Sequence, residues 1–188
     1  MEDQGLGVDA GNDHRFLLGD IKEKVVELII FSLDNEEFAA DMDQVREVIS
    51  IGLITPIPDS PVFIKGITNV RGEIAVIIGL KDRFHMTSKK ELEQKHIVIA
   101  RQGKNLFGVT VDEVTEVLRI QESKIKPPPA FISKIEKEYL RGVITGENRQ
   151  VILLDLNKIL SEDDLAQLSK VSKKQMEAPG ISGSEESD

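Results

Sequence analysis

Cysteine and tryptophan are both missing from this 188-residue chain. Without cysteine there is no disulfide framework, no thiolate metal site and no cysteine nucleophile, and a reducing compartment is the natural setting. One tyrosine and seven phenylalanines make up all the aromatics, which removes the stacking platforms that single-strand nucleic-acid binders use. Basic charge is in deficit too. The 33 acidic residues outnumber 24 basic ones, for a formal net charge of -9, so attraction to phosphate backbones or anionic lipid is unfavourable. No uncharged apolar run approaches the roughly 18 residues of a membrane span, and Met1 to Asp20 carries no signal-like apolar stretch. A non-secreted, cytoplasmic protein that neither binds nucleic acid nor inserts into membrane is expected.

Catalytic patterns are equally scarce. The three histidines, His14, His85 and His96, have no spacing that gathers metal ligands, and each reads as a surface residue. There is no nucleophile elbow, phosphate-binding glycine loop or dinucleotide fingerprint. The acid pairs Glu36-Glu37 and Asp163-Asp164 read as turn and helix-start charges. No enzyme activity, metal or cofactor is expected.

What the chain has is short β-branched runs between turn residues: Val25 to Leu33, Glu37 to Met42, Ile67 to Val70, Glu73 to Leu80, His96 to Ala100, Leu106 to Val111, Gly142 to Thr145 and Val151 to Leu156. This spacing belongs to a sandwich or barrel. Helical signals are few. Asp43-Gln-Val-Arg-Glu-Val-Ile predicts one or two turns capped by Asp43, with Val45 and Val48 on one face beside Glu47. Ser88 to Gln94 is a short charged segment. Ser161, followed by acids, predicts the N-cap of a closing helix over 161–168. Residues 1–24 and 169–188 are polar and unpatterned and read as flexible tails.

The strongest signal is an internal repeat. Phe38 to Ile51 aligns with Phe107 to Ile120 at an offset of 69, with six of fourteen positions identical, among them Glu47 with Glu116 and Val48 with Val117. Each copy leads into a proline loop, Thr55-Pro-Ile-Pro-Asp-Ser-Pro or Lys126-Pro-Pro-Pro, then an Arg-Gly pair, Arg71-Gly72 or Arg141-Gly142, then another strand. The prediction is an all-β fold of two packed lobes, roughly 38–95 and 96–160, with strand exchange at the ends. After the second proline loop, Phe131 and Ile132 are expected to fold back on the second lobe.

Arg71 stands at a turn and can clamp a carboxylate bidentately. Two roles are open. Paired with Glu47 it would be a staple that orients the element carrying Val45 and Val48; left exposed, it would meet an acidic group on a partner.

The order of these motifs resembles the CheW-like family from Glu27 to about Leu168. The resemblance is carried by Phe31-Ser-Leu-Asp-Asn-Glu-Glu-Phe, Val45-Arg-Glu-Val, Ile57-Pro, Pro61-Val-Phe-Ile-Lys-Gly-Ile-Thr-Asn-Val-Arg-Gly, Val111-Asp-Glu-Val, Tyr139-Leu-Arg-Gly and Ile152-Leu-Leu-Asp-Leu-Asn-Lys-Ile-Leu. It implies two tandem SH3-like five-stranded barrels and a non-enzymatic adaptor. The implied partners are the cytoplasmic tip of methyl-accepting chemoreceptors and the regulatory domain of the histidine kinase CheA, assembled in membrane-associated arrays. A paralogous scaffold in a non-flagellar chemosensory pathway is the alternative. The resemblance places Val45, Glu47, Val48, Asn69 and Arg71 at the receptor groove, and Ile64, Lys65 and Gly66 toward the kinase. The strand after Gly72 departs from the family pattern, with Val76 for the usual proline and Gly79-Leu80-Lys81 for Asp-Leu-Arg, which puts that strand's partner contacts in question.

Overall fold

The computed structural model describes residues 23–87, 93–130 and 135–176. The expectations for the two tails, for Ser88 to Gln94, and for Phe131 and Ile132 fall wholly or largely outside these residues, as does His14. Ten strands are described: β1 Val25–Leu33, β2 Glu36–Asp41, β3 Val45–Ser50, β4 Ile64–Val70, β5 Glu73–Gly79, β6 His96–Gln102, β7 Asn105–Val111, β8 Glu113–Gln121, β9 Leu140–Thr145 and β10 Gln150–Leu154. Two helices join them, α1 at Leu80–Arg83 and α2 at Glu162–Met176. Helix α2 starts as expected, with Ser161 Oγ accepting the Asp164 N–H at 3.1 Å while the Asp164 carboxylate accepts the Ser161 N–H at 2.9 Å. It continues to Met176, past the expected end at 168.

The strands form two five-stranded sheets, β3-β6-β7-β5-β4 and β8-β1-β2-β10-β9. Their orders match one for one, so the repeat is structural. Its boundary is not. Hairpin β6–β7 completes the first lobe and hairpin β1–β2 completes the second, in place of a division at residues 95 and 96. Each repeat therefore surrenders its opening hairpin to the other. The exchange is fixed by pairing: β5 lies parallel to β7, and β10 parallel to β2. Parallel neighbours need a long connection and cannot come from one tight hairpin.

Each sheet closes on itself. Thr55, beyond β3, bridges to Ile67 of β4 through two backbone hydrogen bonds of 2.8 Å, and Lys126, beyond β8, does the same with Val143 of β9. The proline loops are thus the closing staves of two barrels. Closure requires the backbones to approach tightly, and Gly66, one residue before the first bridge, makes that possible. Its φ is +141°, and an added Cβ would sit 2.2 Å from the Thr55 carbonyl oxygen. Gly66→Ala is expected to cost about 2–4 kcal/mol, combining backbone strain with lost closure hydrogen bonds. Gly72→Ala, at φ +88° in open space, is expected to cost about 1 kcal/mol. Urea midpoints of the two variants check the difference.

Alternating side chains then build three cores. Leu28, Ile30, Ala39, Val151 and Leu153 fill the second barrel. Val70, Ala75, Ile77, Ile97, Ile99 and Leu106 fill the first. The residues between them along the same strands meet in a seam joining the lobes: Ile29, Phe31, Phe38, Ala40, Ile152 and Leu154 from one side, Ile78, Val98, Ala100, Phe107 and Val109 from the other. Strands buried on both faces read as continuous apolar runs, which is why β1 and β7 show no polar alternation. The scarce aromatics collect here. Phe31 stacks on Phe38 with ring centres 6.2 Å apart, Phe38 on Phe84 at 6.2 Å, and Phe84 meets Tyr139 at 5.7 Å. Burial in this seam pushes the Tyr139 hydroxyl up to about 12.

Candidate functional site

Five residues singled out in the sequence sit on β3 and the β4–β5 hairpin. Residues 43–49 are not a helix. A 3-10 turn covers Met42–Gln44, capped by Asp41 rather than Asp43, since the Asp41 carboxylate accepts the Asp43 N–H at 3.2 Å. Strand β3 then begins at Val45. Against β6 its register runs Val45 to Ala100, then Glu47 to Ile99 and Val48 to Val98, so Arg46 is an extra residue, a β-bulge. Residues directly opposite across a ladder project to the same face. Val45 and Val48 therefore do share a face, the one carrying Ala100 and Val98, but through a bulge. Val45 packs against the seam while Val48 is 37% exposed. Glu47 points to the other face.

Hairpin β4–β5 turns over two residues, Arg71 at φ +54° and Gly72 at φ +88°, the left-handed pair a tight hairpin prefers. Asn69 fixes the turn, its side-chain oxygen accepting the Gly72 N–H at 2.8 Å. The hairpin tip reaches across the barrel to β3. Arg71 Nε donates to both carboxylate oxygens of Glu47 at 3.0 Å. The Glu47 side chain is 18% exposed and that of Arg71 is 74% exposed. Both roles left open by the sequence are therefore compatible: the pair staples the hairpin to the edge strand and leaves most of the guanidinium open to solvent. Beside it, Glu73 accepts from Arg101 at 2.5 Å and Arg46 at 2.8 Å. Hydrogen bonds from Arg101 and then Arg46 hold its carboxyl below the ordinary value.

The second lobe repeats this arrangement with a different arginine. The bulge recurs at Thr115, since Phe31 faces Val114 and Ile30 faces Glu116. Glu116 stands where Glu47 does. Arg141, paired by the Arg-Gly dipeptide in the sequence, lies within β9 and binds Asp41 at 2.5 Å. Its neighbour Gly142 precedes the bridge residue Val143 and so corresponds to Gly66. Arg149, from the β9–β10 turn, supplies the counterpart of Arg71, lying 2.6 Å from Glu116 and binding Glu37 bidentately at 2.6 and 2.7 Å. These two carboxylates raise its pKa above the ordinary arginine value. Position relative to the hairpin turn was the signal that would have found it.

Ile64, Lys65 and Gly66 are brought together but differ in what they present. Ile64 is 6% exposed and belongs to the seam. Gly66 packs on the Thr55 backbone. Lys65 is half-buried and pairs with Asp82 at 2.6 Å. This pair accounts for the glycine at 79, where an added Cβ would lie 2.5 Å from both the Asp82 carboxylate and the Lys65 side chain. The acid missing from position 79 has its place taken by one a helical turn later. Val76 packs on the seam, and Lys81 enters a buried ion cluster with Asp34 and Asp112 at 2.7 and 2.8 Å. The departures from the family pattern thus act inside the molecule.

An open groove of about 530 Å³ runs beside the site, with Asn69 on its rim and Ile49, Leu53, Ile67 and Ile74 along it. Leu53 and Ile74 are 85% and 58% exposed. Sequence reading missed both, because single apolar residues in loops and at strand starts carry no periodic signal.

The family model of the CheW-like domain matches residues 27–164. The chain is 35% identical over 147 residues to the chemotaxis protein CheW of Klebsiella aerogenes, covering 78% of this chain and 89% of that one. It is 31% identical over 142 residues to the chemotaxis protein CheW of Thermotoga maritima, covering 74% and 90%. Protein FrzA of Myxococcus xanthus is 30% identical over 139 residues, covering 71% and 84%. The crystal structure of the scaffolding protein TtCheW from Thermoanaerobacter tengcongensis superposes with a TM-score of 0.68 at 30% identity, covering 78% of this chain and 94% of that one. Matched by the family model over residues 27–164 and 35% identical to a relative across most of its length, the chain belongs to the CheW-like family.

Proposed function

We propose that the chain is a non-enzymatic adaptor that couples methyl-accepting chemoreceptors to the histidine kinase CheA. The observation that carries this reading is the shape of the exposed site. Asn69 lines an apolar groove together with Ile49 of edge strand β3, Arg71 stands two residues further on at the tight hairpin turn, and Val48 is exposed on the other face of β3. A rigid apolar groove with an arginine at its margin suits an amphipathic helix bearing acidic residues. The receptor's helical tip would lie against Val48, Asn69 and Arg71, with Val45 and Glu47 supporting them from within. The kinase's regulatory domain would approach Lys65, with Ile64 and Gly66 shaping the backbone beneath it. The relatives named as chemotaxis proteins and the neighbour named as a scaffold support the same assignment. Similarity to FrzA supports a second reading, the same scaffold in a non-flagellar chemosensory pathway. No helix among the described residues is long and apolar enough to cross a membrane, so recruitment to a membrane array would pass through the receptor.

Pull-down with a receptor tip fragment and, separately, with the CheA regulatory domain tests the proposal. Arg71→Ala and Val48→Glu are each expected to weaken receptor capture by at least about tenfold, the scale of an interface hot spot. Val48→Glu, at an exposed site, is expected to stay within about 0.5 kcal/mol of wild-type stability, and Arg71→Ala, which also removes the staple to Glu47, to cost about 1 kcal/mol. Kinase capture should persist. Folded wild-type protein that captures neither partner would remove the adaptor reading.

A further inference from the structure

Two chain crossovers join the lobes, one at residues 41–45 and one at 111–113, and each is fastened by a different chemistry. At the first, Gln44 Nε2 donates to Asp155 at 2.7 Å and Gln44 Oε1 accepts the Leu156 N–H at 3.0 Å. At the second, Lys81, just after β5 of the first lobe, meets Asp34 of the β1–β2 turn in the second lobe at 2.7 Å. Its ammonium also lies 2.8 Å from Asp112, the crossover residue itself. The other Asp112 oxygen accepts the Asp34 N–H at 2.8 Å, and the Asp112 N–H donates to Ser32 O at 3.0 Å. All three side chains are largely buried, so one ammonium serves two buried carboxylates.

The seam is mainly apolar, with Arg83 of α1 reaching Asp164 at 3.1 Å and the Tyr139 ring, and apolar contact is non-directional. Charge-assisted contacts fix distance and angle. We propose that Lys81 is a positioning residue that sets the angle between the two lobes, and through it the alignment of the recognition face on the first lobe with the second. Without the ammonium, the lobes would lose the cation that ties Asp34 and Asp112 to the end of β5, and they would part on that side, hinging at the Gln44–Asp155 fastener. Burial opposes the charge on Lys81, yet its contacts with Asp112 and Asp34 outweigh that and its pKa lies above the ordinary lysine value. The cation is therefore present at neutral pH. The inference rests on the proposed function only in what the angle is for.

Absence of cysteine makes the test direct. Lys104→Cys in the β6–β7 turn and Glu147→Cys in the β9–β10 turn, both exposed, carry spin labels on opposite lobes, and pulsed electron resonance reads the distance between them. Lys81→Met is expected to shift or widen that distribution, and Lys81→Arg to restore it, because a guanidinium also bridges two carboxylates. Ile77→Val, inside the first barrel, is expected to lower stability without moving the distribution. If Lys81→Met does not fold, Asp34→Asn, which leaves the Asp112 contact, is expected to give a smaller shift in the same direction. An unchanged distribution in the folded variant overturns the proposal whatever the partners do. The same Lys81→Met protein is expected to lose about tenfold in receptor-tip capture, although residue 81 is buried. A shifted distribution with undiminished capture overturns the link to recognition. If wild type captures no partner while the distribution shifts, the adaptor reading falls and the lobe-setting role of Lys81 stands.

Discussion

Cutting the chain between Thr87 and Glu93 is expected to give two fragments that are unfolded apart and regain β-structure when mixed in equal amounts. The cut separates the two sequence repeats, and neither repeat contains a complete barrel. Fragment one keeps β3, β4 and β5 but lacks β6 and β7, whose residues Ile97, Ile99 and Leu106 supply half of the first barrel's interior. Fragment two keeps β8, β9 and β10 without β1 and β2, so Leu28, Ile30 and Ala39 are missing from the second. Each would also expose long sheet edges and the whole apolar seam. A piece of this size with half a core cannot offset its conformational entropy. On mixing, the pairings β5–β7 and β10–β2 rebuild both barrels together. Far-ultraviolet circular dichroism of each fragment and of the mixture decides the matter. An independently folded fragment would mean that the hairpin exchange is not what holds the lobes together.

Exchange at the lobe ends was legible in the sequence, but that a whole hairpin is exchanged was not. The eight strands read from β-branched runs are all present, because burial on one or both faces leaves an apolar pattern in the chain. β3 was read as a helical turn for a definable reason, and β8 repeats the same pattern. A bulge inserts one residue, so Val45 and Val48, or Val114 and Val117, fall on one face at a spacing of three. Helices give the same spacing. The partition into lobes was hidden for another reason. When two repeats are alike, hairpin β1–β2 suits either set of three strands, and only long-range pairing selects one. Of the site, charge and turn chemistry offered the Glu47–Arg71 pairing as one of two open roles, and the structure makes that pair. Its pseudo-equivalent was misplaced, because matching the Arg-Gly dipeptides led to Arg141 while geometry uses Arg149. The exposed Leu53 and Ile74 left no mark in any pattern, since their importance lies in what surrounds them.

Phe38→Ala should be the most damaging single truncation, with an expected loss of about 3–5 kcal/mol. Phe38 is fully buried and stacks on Phe31 from its own barrel and on Phe84, which follows α1 of the other lobe, with ring centres 6.2 Å from each. Removing it opens a cavity at the centre of the seam, flanked by rings that cannot collapse into it because β1 and β2 are held in two ladders. The total stability of a domain this size is about 5–15 kcal/mol, so the loss is a large share of the whole. Ile77→Val, within one barrel, is expected to cost only about 1 kcal/mol. Both variants are expected to unfold in urea in a single transition with an unchanged slope, since each barrel borrows a hairpin and neither can melt alone. Two separated transitions for Phe38→Ala would show that the lobes are coupled only by the seam, and a loss below about 1 kcal/mol would show that the seam repacks. The consequence for an adaptor is mechanical. A scaffold that presents one surface to a receptor and another to a kinase must keep the two lobes together, and the stacked rings at the centre of the seam supply that cohesion while the polar contacts at its margins set the angle.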